Sequence, residues 1–332
     1  MTRDSKTENY APAITYTDAK VIELPKATSY AEKRGFGDFN GDGITDMLEI
    51  SDDAYIGQDY KVNVFYGYIN KQQKLQFSEK HKRVKLPIKM KWFSSATKLD
   101  VGDINGDGYA DVIFTQYSTG IVNDSLNMAF AINNKGNGSF TPQFQMVKNS
   151  KGLNTIEIIL ALIDAYEGAR DGDSLYDYLK MDWADLNGDG TDDLLLMWDD
   201  YNDLYVDTVL SYPTEDGKNI TLESGGSATI PNFLKSRSVK WLDTGNYNND
   251  KMADITVRDS KFGGSKLIVS VAINKNGHFE PHKDSSFRDT DMDTFGFEKI
   301  DTFDVNQDGI DDYVHIGNDD NKKVMSYNIL NQ

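Results

Sequence analysis

Short apolar runs recur along the chain, each directly behind a cluster of Asp, Asn and Gly: Met47–Ile50, Val112–Thr115, Leu194–Met197, Ile255–Val257 and Tyr313–Ile316. Their length and β-branched content predict buried strands. A polar loop and a further strand follow, and then turns rich in Gly and Asn, as in Ala131–Phe140 and Val271–Phe279, which predict β-hairpins. With the strand that precedes each acidic cluster, such as Val239–Leu242, every unit holds four strands. One stretch departs from this pattern. Asn154–Tyr166 is apolar almost all round, with Asn154 as a possible cap, and reads as a helix that must be buried, placing a helical insertion over 150–180.

The acidic clusters are copies of one another. Asp38-Phe-Asn40-Gly-Asp42-Gly43-Ile44-Thr-Asp46 recurs at Asp103–Asp111, Asp185–Asp193 and Asp304–Asp312, and in weaker form at Asn246–Asp254. The starts are 65, 82, 61 and 58 residues apart, so the period is about 60 with one enlarged unit. Four antiparallel strands in that length match one blade of a β-propeller. The last unit runs out of chain after three strands, whereas Lys20–Pro25 resembles a fourth strand with nothing ahead of it: its Leu24-Pro25 matches Leu86-Pro87 and Ile230-Pro231 late in other units. The expectation is a single all-β domain over 1–332, a five-bladed propeller closed by the N-terminal strand, with 1–19 partly flexible. Closure would also hide sheet edges.

Composition narrows the partners. Against 35 Lys and Arg stand 53 Asp and Glu, a net charge of −18, which opposes binding to nucleic acid or an anionic membrane. The 39% apolar content suffices for a packed core. The longest apolar stretch, Ile158–Ile163, is far short of a membrane span, so no insertion is expected. There is no cysteine, hence no disulfide or thiol chemistry.

In a loop of the form D-x-N-x-D-G-x-x-D, alternate side chains at positions 1, 3 and 5 converge. The carbonyl at 7 and the carboxylate at 9 complete a set of hard oxygen donors, which suits Ca²⁺ rather than Zn²⁺. The candidate ligands are Asp38, Asn40, Asp42, Ile44 and Asp46; Asp103, Asn105, Asp107, Tyr109 and Asp111; Asp185, Asn187, Asp189, Thr191 and Asp193; and Asp304, Asn306, Asp308, Ile310 and Asp312. In the fifth set, Asn246, Asn248, Asp250, Met252 and Asp254, the first acid is missing and Lys251 replaces the position-6 glycine, so weak or no occupancy is expected. Asp, Asn and Gly also favour plain turns, but four near-identical copies speak for the metal.

These residues resemble the FG-GAP and VCBS repeats of calcium-binding β-propellers, a group that includes the head of integrin α chains and many bacterial surface and toxin-associated proteins. The resemblance covers about 20–332. It implies that each calcium loop joins the innermost strand of a blade to the second and that the metal is chiefly structural. Family propellers usually have seven blades, so a count of five departs from the pattern.

Since antiparallel strands alternate direction, loops between second and third strands emerge opposite the acidic loops. Tyr55, Tyr60, Tyr117, Trp198, Tyr201, Tyr205 and Phe262 lie in or beside these segments, several next to Asp, Asn or Gln, a composition suited to a sugar or a protein. Such residues also commonly cap blade interfaces. Catalytic motifs are missing: His278 and His282 flank Pro281, no phosphate loop, nucleophile elbow or zinc signature occurs, and the repeated Asp100, Asp182, Asp243 and Asp301 read as structural acceptors. The expected function is an extracellular or cell-surface calcium-stabilised module that binds a glycan or a protein. The alternatives are a scaffold or shell subunit of a secreted toxin or surface assembly, docking through 150–180, and a polysaccharide-active enzyme such as a lyase.

Overall fold

In the computed structural model the described residues are 15–16, 20–25, 34–50, 59–89, 97–118, 125–143, 180–200, 203–215, 220–231, 233, 241–260, 267–281, 287–289, 296–319, 322–328 and 330–331. The predicted helix at 154–166 and its insertion lie outside them; among the described residues every regular element is a strand.

β1 (Thr15–Tyr16) and β2 (Lys20–Glu23) open the chain. A first sheet follows in the order β3 (Arg34–Gly37), β4 (Asp46–Ile50), β5 (Asp59–Ile69), β6 (Leu75–Lys89). A second runs β7 (Thr97–Gly102), β8 (Asp111–Ser118), β9 (Ser125–Asn133), β10 (Phe140–Gln143). The third is β11 (Lys180–Ala184), β12 (Asp193–Asp200), β13 (Asp203–Pro213), β14 (Ile220–Ile230). The fourth is β15 (Trp241–Gly245), β16 (Asp254–Ser260), β17 (Leu267–Lys275), β18 (His278–Pro281), with β19 (Phe287–Asp289) continuing the outer edge along β17. The last comprises β20 (Gly296–Phe303), β21 (Asp312–Asp319) and β22 (Lys322–Asn328), and its outer place is taken by β2 from the start of the chain. Within 1–19, β1 is held in a two-stranded ladder with β23 (Leu330–Asn331).

Among the described residues every sheet is antiparallel, and the fold is all-β with a propeller-like arrangement of these sheets. The apolar runs behind the acidic loops are the second strands. Their side chains are buried on both faces, as at Met47, Leu48 and Ile50 or Leu194–Met197, because each sheet is covered on either side by a neighbour. The predicted hairpins form with the expected chemistry: between Lys275 and His278 the chain turns in two residues, Asn276 and Gly277, at φ 55° and 84°.

Core clusters straddle successive sheets. Val62, Leu86 and Tyr60 of the first pack with Val112 and Phe114 of the second. Leu195 and Val206 of the third pack with Ile255 and Ala272 of the fourth. Between the last sheet and the first, Phe36 stacks on Phe303 at 5.0 Å, amid Met47, Phe65, Val314, Met325 and, from the N-terminal segment, Ile22 and Leu24. The same seam neighbourhood contains a buried ion pair, Arg34 Nη2 to Glu49 Oε1 at 3.3 Å, set directly across β3 and β4. Innermost strands touch in the sequence β3, β7, β11, β15, β20 and back to β3.

Leu24, 3% exposed, secures the N-terminal strand to this seam. Leu24→Ala should therefore lower stability by about 2–4 kcal/mol in denaturant-monitored unfolding, the cost of a large-to-small change in a well-packed core; an unchanged midpoint would mean that the N-terminal strand does not hold the last sheet.

Candidate metal-binding loops

Each acidic loop joins the first strand of a sheet to the second, and its winding is dictated by its own side chains. In the first loop Asp38 Oδ1 accepts the amides of Asn40 (3.2 Å), Gly41 (2.6 Å) and Asp42 (3.2 Å), while Oδ2 accepts Gly43 N at 2.7 Å. The position-1 aspartates of three other loops do the same with the position-6 amide: Asp103 to Gly108 (2.7 Å), Asp185 to Gly190 (2.8 Å) and Asp304 to Gly309 (2.7 Å). Asn40 Oδ1 takes Asp42 N (2.8 Å), and Asp42 Oδ1 takes Ile44 N (2.9 Å). These nested turns bring positions 1, 3 and 5 onto one side, at the cost of a left-handed backbone at position 6, where Gly43, Gly108, Gly190 and Gly309 have φ between 79° and 87°.

Position 9 does something the spacing alone does not reveal. Asp46, Asp111, Asp193, Asp254 and Asp312 are fully buried. In each, Oδ2 accepts the position-2 amide of its own loop: Phe39 (3.0 Å), Ile104 (3.3 Å), Leu186 (3.1 Å), Tyr247 (3.1 Å) and Val305 (3.0 Å). In four, Oδ1 accepts an amide from the third strand: Gly67 (2.7 Å), Asn133 (2.6 Å), Ser211 (2.7 Å) and Asn274 (2.8 Å). This carboxylate is a latch that ties three segments of one sheet together. Burial pushes the carboxyls of Asp46, Asp193 and Asp254 up to about 7, opposed by those amide bonds and reinforced by acids such as Asp38 and Asp42 beside Asp46. Asp111 is raised well above the ordinary carboxylate range, again chiefly by burial.

A second set of side chains couples neighbouring sheets. The position-8 amide donates to the position-1 carbonyl of the preceding loop four times: Ala110 to Asp38 (2.8 Å), Asp192 to Asp103 (2.8 Å), Ala253 to Asp185 (2.7 Å) and Asp311 to Asn246 (2.9 Å). Where position 8 is an acid the bond is reciprocated, Asp192 Oδ2 accepting Asp103 N and Asp311 Oδ2 accepting Asn246 N, both at 2.7 Å. Buried Asn133 and Asn274 bridge loops as well. Asn274 Nδ2 donates to Leu186 O of the preceding sheet (2.8 Å) and to Ala253 O (3.0 Å), and Asn133 does likewise to Phe39 O and Ala110 O. These couplers escaped the sequence reading. Their signal is the shared Ala-Ile-Asn-x-x-Gly of 131–136 and 272–277, whose glycine amides bond back to the Asn Oδ1.

The donor set of each full loop fits a hard cation in chemistry: three carboxylates and an amide oxygen, with position 1 and 3 oxygens sharing the position-5 amide. Among the described residues no three acidic or histidine side chains are drawn into a chelating group, and in four loops the position-3 amide nitrogen donates to the position-5 carboxylate, as from Asn40 to Asp42 at 3.1 Å.

Of the predicted contact aromatics, Tyr60 is corrected. It is 5% exposed and stacked on Phe114 at 4.5 Å, so its ring belongs to the core between the first two sheets, and burial pushes its hydroxyl up to about 12. Tyr205 is half-buried and stands opposite Trp198 in the β12–β13 ladder. Tyr117 lies on β8, while Tyr55, Tyr201 and Phe262 lie outside the described residues. Asp182 accepts Thr244 N (2.9 Å) and Oγ1 (2.7 Å) from the next sheet, the structural role expected of it.

With this geometry in view, comparison with known proteins is informative. Residues 38–114 match the model of the FG-GAP-like repeat. Over 75 residues, 23% of this chain, it is 40% identical to integrin alpha-PS5 of Drosophila melanogaster, of which it spans 7%. The matched stretch takes in the first two acidic loops and the strands behind them. Among solved structures, the chain aligns over 96% of its length with 15% of a chain of the Photorhabdus luminescens Tc holotoxin pore, at 12% identity and TM-score 0.41. It aligns over 91% with half of the exotype rhamnogalacturonan lyase YesX, at 14% identity and TM-score 0.34.

Asn274→Ala would strand two buried carbonyls, so it should cost about 2–4 kcal/mol whether or not calcium is present. Thermal melts in calcium and in chelator test this, and a loss confined to calcium would argue against a purely structural bridge.

Proposed function

We propose that the protein is a calcium-stabilised, five-bladed β-propeller that works outside the cell as a binding module for a glycan or a protein. The observation that carries this is the acidic loop repeated at the head of every sheet. Its side-chain oxygens are all hard donors, and the carboxylates among them repel one another in the absence of a cation. Residues Asp38, Asn40 and Asp42, and their counterparts at 103–107, 185–189 and 304–308, would hold the metal. Position 9 would add a carboxylate whose two oxygens already secure the loop, and position 7 a carbonyl.

The cyclic contact of the innermost strands, the N-terminal strand in the last sheet and the shared core at the seam support a closed ring of five blades. Bound calcium supplies charge neutralisation: four ions would bring the formal charge from −18 to about −10. Loops with three carboxylates are sites of modest affinity, suited to the calcium concentrations of extracellular fluid, and the similarity to an integrin segment agrees with that setting. The partner would meet the face opposite the acidic loops, where the second strands end near Tyr117, Trp198 and Tyr205.

Unfolding in 1 mM CaCl₂ against excess chelator, with Mg²⁺ as control, tests the metal. Four sites with dissociation constants of about 0.1–1 mM would together add roughly 2–6 kcal/mol, which for a domain of this size raises the midpoint by about 3–8 °C. No calcium-specific rise would remove calcium from the proposal. Glycan-array binding by the loaded protein, weakened by Tyr205→Ala at unchanged melting temperature, would support the glycan partner over the protein one.

A further inference from the structure

The loop at 246–254 keeps the backbone course of the others at a cost. Asn249 and Lys251 stand at φ 60° and 72°, where loops 38–46, 103–111 and 185–193 have glycine at both positions. It also keeps the position-3 and position-5 turns, Asn248 Oδ1 to Asp250 N (3.0 Å) and Asp250 Oδ1 to Met252 N (2.9 Å), and the position-9 latch. What differs is position 1. Elsewhere that aspartate accepts the position-6 amide of its own loop. Asn246 instead turns its Nδ2 outward and donates to Gly309 O, the position-6 carbonyl of the following loop, at 3.2 Å, while its Oδ1 is buried without a hydrogen-bond partner.

Two further hydrogen bonds join these two loops: Asp311 N donates to Asn246 O (2.9 Å) and Asn246 N donates to Asp311 Oδ2 (2.7 Å). The loops are also close enough that a Cβ added at Gly309 would come within 3.1 Å of Asn249 Oδ1. The next junction carries a similar bond from another off-pattern residue. Gln307, where loops 38–46, 103–111 and 185–193 have glycine, donates its Nε2 to Gly43 O, the position-6 carbonyl of the first loop, at 2.9 Å. Two of the departures from the repeat, Asn246 and Gln307, thus place a side-chain amide on the position-6 carbonyl of the neighbouring loop.

We propose that the loop 246–254 holds no cation and acts as a metal-independent clip that fixes the turn of loop 304–312. Its donor set is short of a charge at position 1, the residue there is committed to the neighbour, and Lys251 brings a positive charge into the turn. A neutral amide suits the clip because it can donate to a carbonyl, which a carboxylate cannot do. The inference rests on calcium binding by the other four loops.

The test has two readouts on the full chain. Calcium stoichiometry from titration calorimetry and equilibrium dialysis should be four per chain, and Asn246→Asp combined with Lys251→Gly should raise it to five. A wild-type value of five overturns the clip; a value of zero overturns the calcium assignment on which the count depends. Independently, Asn246→Ala should lower the thermal midpoint by the same amount in calcium and in chelator. A decrease seen only in calcium would mark Asn246 as a metal ligand and overturn the proposal.

Discussion

The structure depends on a buried carboxylate. At position 9 of each acidic loop an aspartate with no solvent contact accepts the position-2 amide of its own loop, and in four of the five sheets the second oxygen takes an amide of the third strand. An uncompensated carboxylate in such a place would be prohibitively costly; the amide bonds these groups accept make it tolerable and convert it into a fixed joint. The joint spans the first turn, the second strand and the third, and so ties the acidic loop to the rest of its sheet. The same hydrogen bonds that join the loop to its sheet run beside positions 1, 3 and 5.

Joints within sheets would yield independent units were the loops not also chained. The position-8 amide reaches the position-1 carbonyl of the preceding loop at four junctions, and the fifth is spanned by Gln307 reaching Gly43 O and by Phe36 stacked on Phe303. Asn133 and Asn274 add buried bridges at two junctions, each satisfying a carbonyl on both sides. The acidic loops therefore form a connected belt, and a cation bound in one would stiffen a structure that its neighbours share. Clustered carboxylates in a chain of net charge −18 repel, and the hydrogen-bonded belt holds them at their positions against that repulsion.

Much of this was legible in the residues. Recurrence of Asp-x-Asn-x-Asp with trailing apolar runs set the repeat, the four-strand unit, and the donation of Lys20–Glu23 to the last sheet, because these follow from local chemistry and from counting strands. Position 9 was legible as an acid but not as a latch, since its third-strand partner is about 20 residues away and is a backbone amide that any residue supplies. Tyr60 shows the limit of composition. Beside Asp59 it resembled a contact residue, yet the third strand starts at Asp59, one residue before it, and alternation turns its ring into the core against Phe114. Asn246 likewise reads as a weakened ligand in one dimension and as a donor to the next loop in three.

The sequence by itself determined the strands, the turns and the oxygen-rich chemistry of the loops, because period-2 burial, Asx turns and left-handed glycines act over a few residues. Only the tertiary structure decided which oxygens are committed to amides, which asparagines tie one sheet to the next and which tyrosine is buried. The third-strand amides and the asparagine bridges join residues from 18 (Asp193 and Ser211) to 94 (Asn133 and Phe39) positions apart, brought within hydrogen-bonding distance by the packing of strands and sheets and by no local rule.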